Sequence, residues 1–525
     1  MSPAQEALSA LSEVPGLSAL SGTSLKYYLP AVLLLLGVCY LLLTRDRPYP
    51  GFPVAPQDKN DKRSWTEDGK AILDEGSQEF ASCFQVRTGS GYKIIVPNRF
   101  VDEVKSHSDL SLATAVAKDL MADYPGFDGL QAALQDETFI QEVVRVKLTQ
   151  SLGLLTEDLV QETNDAFQEI VGEPEEWETS CLKDDTLDIV ARLSARMFLG
   201  ENLCRNQNWL RISKEYAVDA HKAAHELTKI PALVRPIIYW FLPRCARMRK
   251  QVREAKGLIE PEVKQRTAQA QASFQEGRKK ISQGADAIGW MIEVAKGQPR
   301  DLVAAQLSLI TAGVHITSEE TSKCILRLCD HPELVQPLRA EMIAVLKEHG
   351  WSRTAMYNMR LLDSFLKEVQ RIDGFFLATM VRYVKKAVTL SDGTVLPKGA
   401  RLLVPNDRVH DSSVYTNPER FDLERFSRLR DKPGEGNNHQ YVATSADQLG
   451  FGHGQHACPG RFLVAAEIKT ALCFLLLKYD IRYLPGQSRL PAVKFETQRI
   501  MDPSTKIQIR RRTEEIDLLH PKSVV

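Results

Sequence analysis

One ten-residue stretch constrains this chain more than any other: Phe451-Gly452-His453-Gly454-Gln455-His456-Ala457-Cys458-Pro459-Gly460. It has the form Phe-x-x-Gly-x-x-x-Cys-x-Gly. Glycines at those places let the backbone fold tightly round a single sulfur. N–H groups held there can point at a thiolate and spread its charge, which sets its strength as a ligand. At the chain's own Phe, Gly and Cys frequencies the pattern arises by chance about once in a thousand sequences of this length, which favours a ligand loop over coincidence. The other cysteines (Cys39, Cys83, Cys181, Cys204, Cys245, Cys324, Cys329 and Cys473) are scattered, and no Cys-x-x-Cys pair occurs. That excludes zinc-ribbon and thioredoxin-type sites and fits a reducing compartment, with most thiols serving as small apolar side chains.

Long stretches with helical periodicity surround the loop: roughly 139–170, 185–200, 207–228, 248–284, 301–330 and 460–477. Asp301 opens one of these helices, and His331-Pro332 ends it. Lys264–Lys280 is polar nearly all round and reads as a solvated helix. Two hairpins are signalled, one over Phe84–Val96 broken at Gly89-Ser90-Gly91, the other at Ala387–Leu390, turning at Asp392-Gly393 towards Val395 and Leu402–Val404. Residues 427–448 read as loop. No repeat or long linker divides the body, so a length that would allow about three domains instead suggests one large α+β domain, mainly α with small β-sheets. No Gly-x-Gly-x-x-Gly or Walker pattern occurs, so this chain carries no common flavin, nicotinamide or nucleotide device. With 67 basic and 67 acidic residues the net charge is zero, which argues against nucleic acid as a partner.

The N-terminus reads as an anchor. Tyr27–Thr44 is 18 residues without a charge, about 27 Å as a helix and close to the thickness of a thin bilayer. Arg45-Asp46-Arg47 and a proline-rich stretch follow, with no Ala-x-Ala cleavage site. The expected layout is a short lumenal N-terminus (1–26), a transmembrane anchor (27–44), a proline-rich hinge (45–56) and a catalytic domain (57–525). The excess of Arg45 and Arg47 over Lys26 places that domain in the cytosol, making a single-pass protein of the endoplasmic reticulum membrane.

The cysteine loop resembles the haem-binding signature of the cytochrome P450 superfamily, the haem-thiolate monooxygenases. Three further segments resemble that family in its own order. Glu368-Val369-Gln370-Arg371 resembles the Glu-x-x-Arg of its K helix. Pro418-Glu419-Arg420-Phe421 resembles the segment whose arginine closes a Glu–Arg–Arg network. Ala312-Gly313-Val314-His315-Ile316-Thr317 falls where the oxygen-activating helix belongs. The resemblance implies haem b with Cys458 as axial iron ligand, seated in a loop to which Phe451, Gly454 and Gly460 belong. It implies that His456 and Arg382 serve the haem propionates, an arginine fork suiting a carboxylate. It implies that Glu368, Arg371 and Arg420 brace the loop from behind. The family's Trp-x-x-x-Arg is missing, and Arg145 or Lys147 is the candidate substitute.

At the family's acid–threonine pair stand His315 and Ile316. Histidine can shuttle protons near neutrality; isoleucine cannot, so Thr317 is the candidate for the hydroxyl role. Ile310, Val314, Phe375, Phe376 and Leu377 are candidate substrate contacts. The resemblance further implies oxidation of an apolar small molecule with O2, electrons coming from NADPH through NADPH-cytochrome P450 reductase, with cytochrome b5 as a possible second donor. Asn438-His439-Gln440 through Ala443-Thr444-Ser445 resembles fungal members of natural-product pathways, terpenoid substrates being the first choice and alkaloid or polyketide the second. Two alternatives stay open: a reductase-independent haem-thiolate isomerase or dehydratase, and a non-enzymatic membrane haem-binding protein.

Overall fold

Side-chain caps and turn residues fix several element ends. The structure, a computed structural model, describes residues 46–55, 65–135, 137–275 and 285–522. Helix α1 (Trp65–Glu79) leads into the hairpin of β1 (Phe84–Thr88) and β2 (Gly91–Ile95), where Thr88 pairs with Gly91 across the expected turn. After β3 (Leu110–Ser111), a π-helical turn over Glu142–Leu148 runs into α2 (Thr149–Ile170). Then come β4 (Glu178–Cys181), α3 (Leu182–Leu199), α4 (Gln207–Thr228) and α5 (Pro243–Gln275). Asn206 caps α4, its side chain accepting the N–H groups of Asn208 at 3.0 Å and Trp209 at 3.2 Å. Asp301 does the same for α6 (Leu302–Asp330), accepting from Ala304 N–H at 2.9 Å. His331-Pro332 stops α6, and α7 (Val335–His349) and α8 (Arg360–Asp373) follow.

The remaining elements are β5 (Ala378–Val384), β6 (Val388–Thr389), β7 (Val395–Leu396), β8 (Arg401–Pro405), α9 (Arg425–Arg430), α10 (Arg461–Lys478), β9 (Tyr479–Tyr483), β10 (Val493–Phe495), β11 (Gln498–Ile500) and β12 (Lys506–Arg511). Helix α9 corrects the expectation of loop from residue 427. Its polar, arginine-rich sequence gives little periodicity, and it is held instead by tertiary bonds described below.

Among the described residues four small sheets accompany the helices: β1-β2-β8-β5-β3, β4-β12-β9, the β10-β11 hairpin and the β6-β7 hairpin. Among the strands of the described residues only β2 and β8 run parallel, Ile94 opposite Leu402. This is the expected mainly helical architecture. Helix α6 packs on α3, α4, α8 and α10, which places it at the centre of the main apolar core. The expected solvated helix is the C-terminal part of α5, where Lys264, Gln265, Ala268 and Gln269 are exposed.

The chain divides into Met1–Pro48 and a body of Tyr49–Val525. Within the body, residues 49–55 run beside β1 rather than hanging free. Buried Gln85 receives Tyr49 N–H on its side-chain oxygen at 2.8 Å and donates to the carbonyls of Tyr49 at 3.0 Å and Phe52 at 2.7 Å. The anchor expected at 27–44 and the lumenal segment 1–26 lie outside the described residues. Among the described residues no helix is long and apolar enough to cross a membrane.

Candidate functional site

The site begins with a buried ion cluster on α8. That helix is strongly amphipathic, with Phe365, Leu366 and Val369 in the core and Glu368 and Arg371 one turn apart among them. Glu368 is 0% and Arg371 1% exposed. Arg371 forks onto the Glu368 carboxylate with Nε and Nη2, both at 2.8 Å, and donates Nη1 to Val409 O at 2.6 Å. The second arginine is Arg425, the first residue of α9. Its Nε bridges both Glu368 oxygens at 3.1 Å, and its fork donates to Thr416 O at 2.7 Å, Asn417 O at 3.3 Å and Arg420 O at 3.0 Å. The expectation for Arg420 is therefore corrected. Its side chain is exposed, and only its carbonyl enters the cluster. Asp422 N–H completes the set at 3.1 Å, so the buried charges are hydrogen-bonded throughout, the condition on which such a cluster is stable.

The other face of α8 grips the segment that leads to the cysteine. Buried Lys367 donates to Gln440 O at 2.9 Å and Ala443 O at 2.7 Å, and Gln448 donates to Lys367 O at 3.0 Å. Burial pulls the Lys367 ammonium down to about 8, and nearby Asp363 opposes that shift. Gln370 lies so close to Gly450 that a Cβ there would stand 2.4 Å from its Cδ. Sequence reasoning missed Lys367, Gln370 and Arg425. For Arg425 a signal existed, because Arg420-Phe421 and Arg425-Phe426 are two copies of one dipeptide.

In the loop, Gly452 (φ +66°) and Gly454 (φ +77°) occupy the left-handed region, and Cys458 N–H donates to Phe451 O at 2.8 Å. Phe451 packs edge-on against buried Tyr441, with centroids 5.1 Å apart. Gly460, the N-cap of α10, and Arg461 aim their N–H groups at the Cys458 sulfur. Burial pushes the Cys458 thiol up, and these two N–H groups and the Arg461 charge oppose the shift. Cys458 is partly accessible. Arg461 is itself held, by Val442 O at 3.0 Å and Cys458 O at 2.8 Å. His456 sits on the single turn Gly454–His456, partly accessible.

Helix α6 is buried on both sides of an accessible patch, Thr311, Ala312, Gly313, His315 and Ile316. Ile310 and Val314, expected at the substrate, lie in the core instead. Successive helical side chains point about 100° apart. Thr317 is accordingly turned away from Ala312 and Ile316, and it is only 1% exposed. That geometry overturns Thr317 as the hydroxyl of the accessible face. His315 Nε2 lies 2.8 Å from Lys214 O of α4, so that nitrogen carries its hydrogen there, and burial keeps the imidazole below its ordinary pKa. Phe375, Phe376 and Leu377 are partly accessible, with the two rings T-shaped at 4.6 Å.

Arg382 is buried in β5 just past a bulge, where the register shifts after Thr379 and Met380 adopts φ +53°. Its Nη1 donates to Val381 O at 2.9 Å. Of the two substitutes for the missing tryptophan–arginine motif, Lys147 pairs with Glu293 at 2.9 Å, whereas the Arg145 charge reaches Arg461 beside the cysteine. The residues present fit a thiolate-ligated haem. A partly accessible cysteine whose sulfur is met by the N–H groups of Gly460 and Arg461 is a donor set that stabilises a thiolate ligand.

Comparison with known proteins agrees with this geometry. The family model described as Cytochrome P450 matches residues 77–511. The cytochrome P450 monooxygenase bsc2 of Alternaria brassicicola is 45% identical over 483 residues, 90% of this chain and 92% of the relative. Its companion bsc11 from the same organism is 42% identical over 481 residues, 91% and 92% of the two chains. The cytochrome P450 monooxygenase adrA of Penicillium rubens is 39% identical over 439 residues, 83% and 85%.

Proposed function

The chain belongs to the cytochrome P450 family and is a monooxygenase, and from that premise we propose that it oxidises an apolar small molecule, a terpenoid by first choice, in a fungal natural-product pathway. One observation carries the reading: Cys458 is partly accessible at a place where burial pushes its thiol up, and the N–H groups of Gly460 and Arg461 and the Arg461 charge oppose that shift. Haem supplies the oxygen activation when bound through this sulfur. Gly460 and Arg461 N–H hold the thiolate. The Glu368–Arg371–Arg425 cluster, Lys367 and Gln370 fix the loop's position. Arg382 and Arg145 would supply positive charge, and the His456 ring a hydrogen-bond donor, for two propionates.

Ala312, Gly313 and Ile316 of α6, with Phe375, Phe376 and Leu377, make an apolar wall that excludes water and orients substrate by shape. That wall carries no charged group, which supports a hydrocarbon-rich skeleton over an acid or a sugar. Electrons come from NADPH through a separate reductase, with cytochrome b5 as a further donor, because this sequence holds no flavin or nicotinamide device. The body faces the cytosol at the endoplasmic reticulum membrane. Two features support that placement: the apolar run 27–44, and an apolar surface between α4 and α5. There Leu233, Ile237, Trp240 and Phe241 are exposed, Phe241 to 79%, and residues 229–253 include seven basic and no acidic side chains.

The test is turnover of candidate terpenoid hydrocarbons by the haem-loaded protein in membranes, with and without NADPH and reductase. Oxygenated product that depends on both supports the reading. Product formed without NADPH would overturn it in favour of an isomerase or dehydratase, to which the absence of a hydroxyl at Ile316 is suited.

A further inference from the structure

The segment Phe375–Leu377 is itself a strand partner of the β10–β11 hairpin. Arg499 N–H donates to Phe375 O at 2.9 Å, and Leu377 N–H donates to Thr497 O at 2.8 Å. These two bonds flank a pair that stands directly opposite, Phe376 and Gln498. In antiparallel pairing a position flanked in this way exchanges no backbone bond of its own. Its two side chains lie on one face and approach more closely than those of a hydrogen-bonded pair. On its other edge Gln498 pairs with Phe495 of β10. Phe495, Gln498 and Phe376 therefore form a row across three short strands, all on one side of the pleat.

The two faces of this small sheet differ. Arg499, next in the chain, turns the opposite way, and its Nη1 donates to Ile372 O near the end of α8. Lys323 is spent on Arg499 O at 2.8 Å, and Glu319 accepts Met501 N–H at 2.5 Å. The row itself is aromatic at both ends. Phe495 meets the His225 ring of α4 edge-on, centroids 6.2 Å apart, and Phe376 packs T-shaped on Phe375. Between the two phenylalanines stands one primary amide, with two N–H donors and a carbonyl acceptor. It is partly accessible, and among the described residues it forms no side-chain hydrogen bond.

A ligand that covers such an amide strips water from it, and the loss is recovered only where the ligand offers a partner. We propose that Gln498 is a specificity-determining residue: its amide hydrogen-bonds an oxygen substituent, hydroxyl or carbonyl, on an otherwise apolar skeleton. The proposal deepens the functional reading above and rests on Phe376 as part of the substrate wall. Apolar contact holds the skeleton, and the amide fixes its orientation along the wall. The reaction that supplies this substrate then leaves an oxygen on the skeleton before it arrives.

The test uses N-alkylimidazoles of increasing chain length, each with and without a terminal hydroxyl, titrated into the haem-loaded protein. The imidazole binds iron while the chain reaches along the wall, so affinity is read from the Soret shift without turnover. At the length that brings the hydroxyl to Gln498, the hydroxylated probe is expected to bind about fivefold tighter than its plain counterpart. Gln498→Leu should abolish that gain and leave the plain chains bound as in the wild type. Gln498→Asn, an amide on a shorter stem, should move the gain to a longer chain. A hydroxyl that gains nothing at any length, or a gain that survives Gln498→Leu, overturns the proposal. Phe376→Ala reports on the wall separately and should weaken the plain chains. Plain chains unchanged by it overturn the wall reading and the proposal together. Plain chains weakened by it, with the hydroxyl gain untouched by Gln498→Leu, overturn the proposal alone.

Discussion

Replacing Arg425 by alanine tests the brace behind the cysteine loop. The side chain makes a bridging contact from Nε to both Glu368 oxygens at 3.1 Å and three bonds from its fork to backbone carbonyls. Thr416, Asn417 and Arg420 are exposed, so water can take over their carbonyls. Glu368 is fully buried, and water cannot reach it without opening the core. It keeps Arg371 and Asp422 N–H, so the loss is less than that of stripping the pair entirely, which costs about 3–5 kcal/mol. Losing one buried charge-assisted partner leaves about 3 kcal/mol. With a urea slope near 3 kcal/mol per M, the midpoint should fall by about 1 M. Arg420→Ala, an exposed change, should shift stability by less than about 0.5 kcal/mol. Arg425→Lys keeps the charge without the fork and should fall between them. Urea unfolding followed by tryptophan fluorescence measures the stabilities, and the carbon monoxide difference spectrum reports whether the thiolate stays on iron. Equal damage from Arg420→Ala and Arg425→Ala would refute the assignment, as would an Arg425→Ala midpoint indistinguishable from wild type.

Other positions give equally direct expectations. Gly454→Ala places a Cβ 2.7 Å from Lys105 Cβ at φ +77°, so it should cost at least about 1–2 kcal/mol and lower haem content, measured by the pyridine haemochrome ratio. Thr317→Ala should leave the ratio of NADPH consumed to product unchanged, since that side chain points into the core, while Ile316→Thr should alter it. For His315 the sign follows from burial, which holds the folded-state pKa below the unfolded value of about 6.5. The neutral ring's contribution is complete above that value and is lost as pH falls through it, by at most about 1.4 kcal/mol per unit. His315→Gln keeps a donor for Lys214 O, and its urea midpoint should fall less than the wild type's between pH 7.5 and 5.5.

Features written in local chemistry were legible in the sequence. Asn206 and Asp301 cap the helices where periodicity begins, Asp392-Gly393 turns a hairpin, and Glu368 with Arg371 lies on one helix face because i, i+3 spacing puts it there. Features set by tertiary context were not. The two arginine–phenylalanine pairs five residues apart are equivalent as sequence, and only the approach of α9 to α8 selects Arg425. The choice between Thr317 and Ile316 is a matter of helix rotation against its neighbours, which no local pattern encodes. The bulge at Met380, which aims Arg382, depends on how β5 meets β8, since a methionine carries no signal for positive φ.

That division has a consequence for how the site tolerates change. The sulfur side is over-determined: Lys367, Arg425 and Arg461 each hold a different point of residues 416–461 by hydrogen bonds, and Gln370 packs closely on Gly450, contacts that no single substitution removes together. On the accessible face of α6 the side chains are methyl, hydrogen and sec-butyl groups, with Thr311, whose hydroxyl donates to Leu307 O at 2.7 Å, and one histidine whose Nε2 is spent on a neighbouring helix. Substitutions there alter shape and water without unfolding anything, whereas substitutions behind the loop alter the ligand itself. Variation in substrate therefore belongs to α6 and the Phe375–Leu377 wall. The demand for an unmoving sulfur explains why so many buried charges are concentrated round α8, where an apolar core of equal volume would pack but would not fix the register of an irregular loop.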